Sequence, residues 1–316
     1  MRFLPDERLY WDADHCLRFL RELESPDPYP ISASPPFHLY WRGTFSTKQA
    51  FAVKSLVASQ RGCEEVHLWL DAEDGYAGHG ENSALQSLPS VVSVRPFDPS
   101  VECLGTPLEE NPELYEELDP VFRSDLFRLV TLYNHGGVYL DLDVMLLRDL
   151  DELFRQPFMT EEFCYRWSAH LPYGNTAVLG LCEGSQTATR ILERCVKLGT
   201  CHPTEILRFE DGDGLDLTVL PCTFFDPLWP HFDGKSRLKH PPFDEFEDFF
   251  RRFGWRFRPR RDVQSHRDFF PGAFAYHWHN YWDAPEHERS YYGRFAREVD
   301  AELASREPRQ PAAAAG

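Results

Sequence analysis

Long apolar runs are missing from this 316-residue chain; nowhere do eighteen apolar residues follow one another, so no membrane-spanning helix is expected. The N-terminus, Met1-Arg2-Phe3-Leu4-Pro5-Asp6-Glu7, has no apolar segment and turns acidic at once, so no secretory signal is expected either. Positive charge is scarce, with 33 Lys and Arg against 51 Asp and Glu and a formal net charge of −18. Nucleic-acid and anionic-membrane binders need a basic face, and that balance argues against both. The eight cysteines are scattered and contain no C-x-x-C, which argues against a zinc ribbon or a thioredoxin-type site. The chain reads as cytoplasmic with reduced thiols. The shortage of positive charge leaves a question: an anionic ligand would need something other than the overall field to neutralise it.

What is present is an ordinary globular composition, 42% hydrophobic and 27% charged, with 15% aromatics. Leu9, Leu17, Leu20 and Leu23 predict a helix over residues 6–23, and the proline-rich stretch Ser25–Pro36 predicts a linker. Phe37–Trp41, Val66–Leu70 and Val91–Val94 read as strands, with a helix capped by Ser46 and running to about Gln60 between the first two. Strand–helix–strand alternation predicts an α/β fold on a mostly parallel sheet, with ligands at the carboxyl ends of the strands. We expect an N-terminal helix and linker over 1–36, a single large domain over 37–295, and a helix end with a disordered Pro/Ala tail over 296–316.

The segment Asp119–Leu150 is the most informative. Asp119 suits an N-cap and Pro120 a first helical residue, after which Phe122, Leu126, Leu129, Val130 and Tyr133 form an apolar stripe ended by Gly136-Gly137. Asp125 and Arg128 share a face of that helix, as a plain i, i+3 ion pair worth about 0.3 kcal/mol or as part of a site. Then Val138-Tyr139-Leu140-Asp141-Leu142-Asp143-Val144-Met145-Leu146-Leu147 reads as one strand with two acids on the same side. Like charges that close repel, so such a pair is not carried for stability, and a divalent cation, Mg²⁺ or Mn²⁺, would resolve the conflict. It would also let an acidic protein hold a diphosphate. The bland reading is a strand end whose acids enter solvent.

The run Ser124-Asp125-Leu126-Phe127-Arg128, followed by Tyr133-Asn134-His135-Gly136-Gly137-Val138-Tyr139-Leu140-Asp141-Leu142-Asp143, resembles the signature of the DXD sugar-binding-region glycosyltransferases: family 32, the α-1,4-glycosyltransferases and the glucosylating-toxin catalytic domains. His38–Gly43 is similar to their first strand, Gly174–Leu179 to their Asn-containing segment, and Pro221–Trp229 and Ala275–Trp282 to the closing motifs of the α-1,4 branch. The toxins' Ser and Glu around their closing tryptophan have no clear equivalents. The resemblance implies a GT-A-like fold, a metal-dependent hexosyltransferase of polysaccharide biosynthesis, retention of anomeric configuration, a nucleotide-sugar donor such as a UDP-sugar, and a glycan or other hydroxyl acceptor. It implies Asp143 as direct metal ligand, Asp141 through water or on ribose and sugar hydroxyls, Asp125 and Arg128 on the transferred sugar, Trp41 stacked on the base, and Asn175 near the donor sugar.

His277 and His279 alternate and share a side, which makes His277 a candidate third metal ligand. Trp278 and Trp282 either close over the donor or pack, and the six arginines of Arg251–Arg261 either meet an acidic acceptor or form a solvated face. Two other readings compete. A phosphatase of the haloacid dehalogenase type also uses D-x-D on a strand, but there the motif opens the domain. A non-catalytic nucleotide- or sugar-binding module would keep the aromatics and need no paired acids.

Overall fold

The computed structural model describes residues 1–23, 34–116, 119–209, 214–233 and 238–306. Most of the expected linker and the C-terminal tail lie outside the described residues. The strands are β1 Arg2–Phe3, β2 Phe37–Trp41, β3 Val66–Asp71, β4 Val92–Phe97, β5 Gly137–Leu140, β6 Val144–Leu146, β7 Phe163–Arg166, β8 Gly174–Leu181, β9 Thr218–Leu220 and β10 Ala275–His277. Eight of them form one sheet in the order β1-β9-β7-β8-β5-β2-β3-β4, and β6 and β10 pair separately. Only β8 runs antiparallel to its neighbours, β5 and β7. The result is a mostly parallel sheet flanked by helices, the architecture expected from the sequence.

Alternation along the strands decides which side chains enter which core. Phe37, Leu39, Val138 and Leu140 face one layer, where the helix Thr47–Ser59 and the closing helix Tyr291–Arg306 pack. Tyr40, Trp69 and Tyr139 face the other, beneath the helices Pro120–His135 and Gln186–Leu198. The helix Pro120–His135 begins where Asp119 accepts the N–H groups of Val121 and Phe122. It stops at Gly136, at φ +62°. Gly137 follows at φ +97°, where a Cβ would stand 2.3 Å from the Pro36 carbonyl oxygen, so no side chain fits.

The ends of the chain depart from expectation. Residues 6–23 form two helices, Arg8–Trp11 and Ala13–Glu22, because the extended Asp12 between them turns its carboxylate onto the His15 N–H as an N-cap. Arg2–Phe3 is an edge strand on β9, so the N-terminal segment is part of the sheet. The closing helix runs unbroken through residue 295 and is tied to Thr47–Ser59 by Lys54–Asp300 at 2.9 Å. Among the described residues no helix is long and apolar enough to cross a membrane.

Candidate active site

The carboxyl ends of β2 and β5 meet the start of antiparallel β8, and a cleft of about 450 Å³ opens there. The helix Pro120–His135 brings Asp125 and Arg128 into it, both buried. Arg128 donates to Thr176 Oγ1 at 2.8 Å and to Ser124 Oγ at 3.0 Å. Its NH2 lies 3.3 Å from Asp125 and 3.1 Å from Asp141, and its guanidinium covers the Tyr139 ring. The expected i, i+3 pair is therefore one arm of a buried network that joins the helix to the end of β5. Burial pushes Asp125 up to about 6, with Arg128 opposing. Burial works against the charge on Arg128 too, but Asp141 and its other neighbours hold it above its ordinary range.

The predicted strand through both acids does not form. β5 stops at Leu140, the Asp141 N–H reaches the Ala177 carbonyl at 2.8 Å, and a turn closed by Val144 N–H on Asp141 O separates β5 from β6. The strand breaks because β6 leaves the main sheet to pair with β10. Nor do the acids simply repel each other across a strand face, because each has a partner of its own. Asp141 accepts from Tyr139 Oη and pairs with Arg128. Asp143 lies 3.1 Å from His277 Nε2 and accepts the Asn280 N–H at 2.8 Å. Burial raises Asp141 despite Arg128. Burial would raise Asp143 as well, but the His277 imidazole beside it brings it down to about 2.

Pairing of His277 opposite Val144 on the β10–β6 ribbon is what sets the imidazole beside Asp143. Burial alone would lower His277; the carboxylates around it, Asp143 first, hold it at about 9. His279 and Asn280 adopt left-handed φ of 52° and 59°. Consecutive non-glycine residues in that region store strain, and here the bend aims the Asn280 N–H at Asp143. The His279 ring stacks on His277 at 3.9 Å, and its Nε2 lies 2.8 Å from Asp226.

Trp41 and Trp282 line the cleft with rings in edge contact at 4.8 Å, and Lys48 pins the Trp282 loop through the carbonyls of Tyr281, Trp282 and Ala284. Asn175 also lines it, its Oδ1 accepting the Ala177 N–H at 2.8 Å. Trp278 does not reach the cleft. It is 0% exposed, packed between Phe51 and Phe249, because it points to the opposite side of the chain from His277. The 251–261 arginines are also elsewhere, on a loop where Arg256 covers the ring of Trp255, 76% exposed.

Asp141, Asp143 and His277 offer ligand atoms within 4.8 Å of one another. Two carboxylates and an imidazole suit a divalent ion that accepts both oxygen and nitrogen, and the His277 Nδ1 is buried without a hydrogen-bond partner. The residues present thus fit the expected cation. Sequence reading missed Asp226, Thr176 and His202, which reach this region from separate segments. A single acid in the apolar run Cys222-Thr223-Phe224-Phe225-Asp226 was the signal for the first, and Thr176 lies in the Gly174–Leu179 segment that carries the resemblance; His202 carried none.

Residues 96–159 match the family model described as the glycosyltransferase sugar-binding region containing a DXD motif. No curated protein matches the chain. Among solved structures, the chain is similar to the PaToxG glycosyltransferase, at 16% identity over 70% of this chain and 76% of that one, with a TM-score of 0.41. Mouse xyloside xylosyltransferase 1 in its apo form is similar at 13% identity over 80% and 99%, with a TM-score of 0.43. The galactosyltransferase LgtC, crystallised with donor and acceptor sugar analogues, is similar at 14% identity over 87% and 98%, with a TM-score of 0.39.

Proposed function

We propose, from the match of residues 96–159 to the sugar-binding region containing a DXD motif, that the chain is a retaining, metal-dependent hexosyltransferase that moves a sugar from a nucleoside-diphosphate donor, a UDP-sugar, to a hydroxyl of a glycan acceptor. One observation carries the reading: Asp141, Asp143 and His277 converge at the floor of a cleft that Trp41 and the Asp125–Arg128 pair also line. Asp143 and His277 would hold the cation and Asp141 would complete the set, and the imidazole would favour Mn²⁺ over Mg²⁺. When bound, the cation offsets the charge of the diphosphate and stabilises it as a leaving group. This answers how a protein of net charge −18 holds a dianion.

Transfer breaks the bond between sugar C1 and the β-phosphate oxygen, makes one between C1 and the acceptor oxygen, and passes the acceptor hydroxyl's proton to the departing diphosphate. Trp41 supplies a stacking face for the base, with Trp282 against its edge. Asp125 and Arg128 hold sugar hydroxyls; the guanidinium is already fixed by Thr176 and Ser124 and loses little freedom on binding. Asn175, anchored through its Oδ1, turns its amide nitrogen to the donor sugar. The eight free thiols accord with a reducing, cytoplasmic setting.

A screen of nucleotide sugars for Mn²⁺-stimulated hydrolysis, followed by proton NMR of the anomeric configuration of the first product, tests the proposal. Hydrolysis of one donor class that EDTA abolishes is expected. Nucleotide binding that ignores Mn²⁺, with no turnover of any donor, would turn the reading towards a non-catalytic binding module.

A further inference from the structure

Asp226 has no part in the reading so far, yet it is the acid most tightly enclosed near the site. It is 1% exposed and sits in a short turn after β9. Its Oδ1 accepts the Trp229 N–H at 3.3 Å; its Oδ2 lies 2.8 Å from His279 Nε2 and 3.8 Å from His277 Nδ1. That second distance is too long for a hydrogen bond, and the His277 Nδ1 is buried with no partner. A buried imidazole nitrogen aimed at a carboxylate just out of reach is an unmet demand, and a small rotation of the ring meets it.

We propose that Asp226 is the positioning residue for His277. It takes the Nδ1–H, which fixes the tautomer and leaves the Nε2 lone pair facing Asp143, and His279 holds Asp226 in place for this. The inference rests on His277 being a cation ligand. Asp226 is not itself a ligand of that cation, because the two nitrogens of an imidazole point away from each other. Asp143 stands at Nε2 and Asp226 at Nδ1, so one ion cannot be shared by both carboxylates. Nor do Asp226, His277 and His279 form a separate metal site, although their ligand atoms lie close together. The two rings stack at 3.9 Å with planes 18° apart. Lone pairs lie in the ring planes, so those of near-parallel stacked rings run side by side and do not meet at one point. An outer carboxylate that orients a ligating histidine raises its basicity, and losing one costs ten- to a hundredfold in metal affinity.

The test uses the full chain and MnCl₂ alone, titrated by calorimetry without nucleotide, on wild type, Asp226→Ala, Asp226→Asn and Asp143→Asn. Asp226→Ala should bind Mn²⁺ ten- to a hundredfold more weakly, and its turnover at saturating Mn²⁺ should fall far less than its Mn²⁺ affinity. Asp226→Asn, which keeps an oxygen acceptor for Nδ1–H, should recover most of the affinity. Should Asp226→Asn lose Mn²⁺ as completely as Asp143→Asn, Asp226 is a ligand and the inference is overturned. Wild-type Mn²⁺ affinity in Asp226→Ala overturns it too, provided Asp143→Asn has lost binding. If Asp143→Asn also binds Mn²⁺ normally, the cation reading itself has failed. Should Asp226→Ala not fold, the comparison of Asp226→Asn with Asp143→Asn still decides.

Discussion

The two sides of the cleft are built in different ways. One comes from a single stretch, Pro120 to Asp143, in which a capped helix, a glycine pair, a short strand and a turn deliver Asp125, Arg128, Asp141 and Asp143 in order. The other is assembled from pieces far apart in sequence: Trp41 at the end of β2, Asp226 after β9, and His277 to Trp282 from the end of β10 onward. The first side is held by a buried guanidinium that joins two acids, Asp125 and Asp141, to the hydroxyls of Ser124 and Thr176. The second is held by long-range ties, such as Asn280 N–H on Asp143 and Lys48 on the Trp282 loop. The near side is thus an organised network before any ligand arrives. The far side carries the open ends: an orphaned imidazole nitrogen and two strained residues.

The comparison can be broken most forcefully at Arg128. Arg128→Ala leaves the buried Asp125 and the partly buried Asp141 without their counter-charge, so it should cost about 3–5 kcal/mol of stability, read from urea unfolding. A loss within experimental error would mean that the near side is not a structural network at all. Asp143→Asn strikes the joint between the sides. Donor hydrolysis should fall at least about a hundredfold, and the Mn²⁺-induced rise in Tm should vanish. Because Asp143 pairs with His277 and caps Asn280, the variant should also melt somewhat below wild type in EDTA. Full activity in saturating Mn²⁺ would remove the acid from the site.

A smaller effect concerns pH. Asp125 has its folded value raised to about 6 from an ordinary 3.8, so the folded state holds this proton more tightly than the unfolded chain does. Ionising it therefore costs stability: nothing below the unfolded value, rising to at most about 3 kcal/mol above the folded one. Asp125→Asn should gain on wild type between about pH 4 and pH 7 and run parallel outside that window. Parallel unfolding curves throughout would show that Arg128 already compensates the charge. The smallest expected effect is on the far rim, where Trp41→Ala should weaken UDP binding by about 1–3 kcal/mol and leave the fold intact. An unchanged dissociation constant would assign Trp41 to packing against Trp282.

How much of this was legible in the sequence follows the same division. Asp119-Pro120 and Gly136-Gly137 bracket the helix at its observed ends, since caps and breakers act through backbone groups within a few residues. Phe37–Trp41 was read at its observed bounds for a similar reason, being an apolar run stopped by Arg42-Gly43. The strand through Asp141 and Asp143 was misread because nothing local ends it. Its break is set by β10, more than a hundred residues on, which pairs with Val144–Leu146 and draws them out of the main sheet. Whether Trp278 closes over the donor or packs was left open for the same reason, since the sequence does not say which side of the chain after β10 faces the core.

The sequence by itself determined the local elements, the parallel character of the sheet and the cluster Asp125, Arg128, Asp141 and Asp143. The local elements depend on residues near enough to interact along a helix or across one turn, the parallel sheet on strands that alternate with helices, and the cluster on a helix, a glycine pair and a strand that follow one another in the chain. Only the tertiary structure decided that Asp141 pairs with Arg128 while Asp143 pairs with His277, that Trp278 is core and Trp282 is rim, and that Asp226 stands behind the histidine. Those outcomes depend on which buried charges find partners. In a low-dielectric interior the partner can come from anywhere in the chain, and sequence separation carries no information about it.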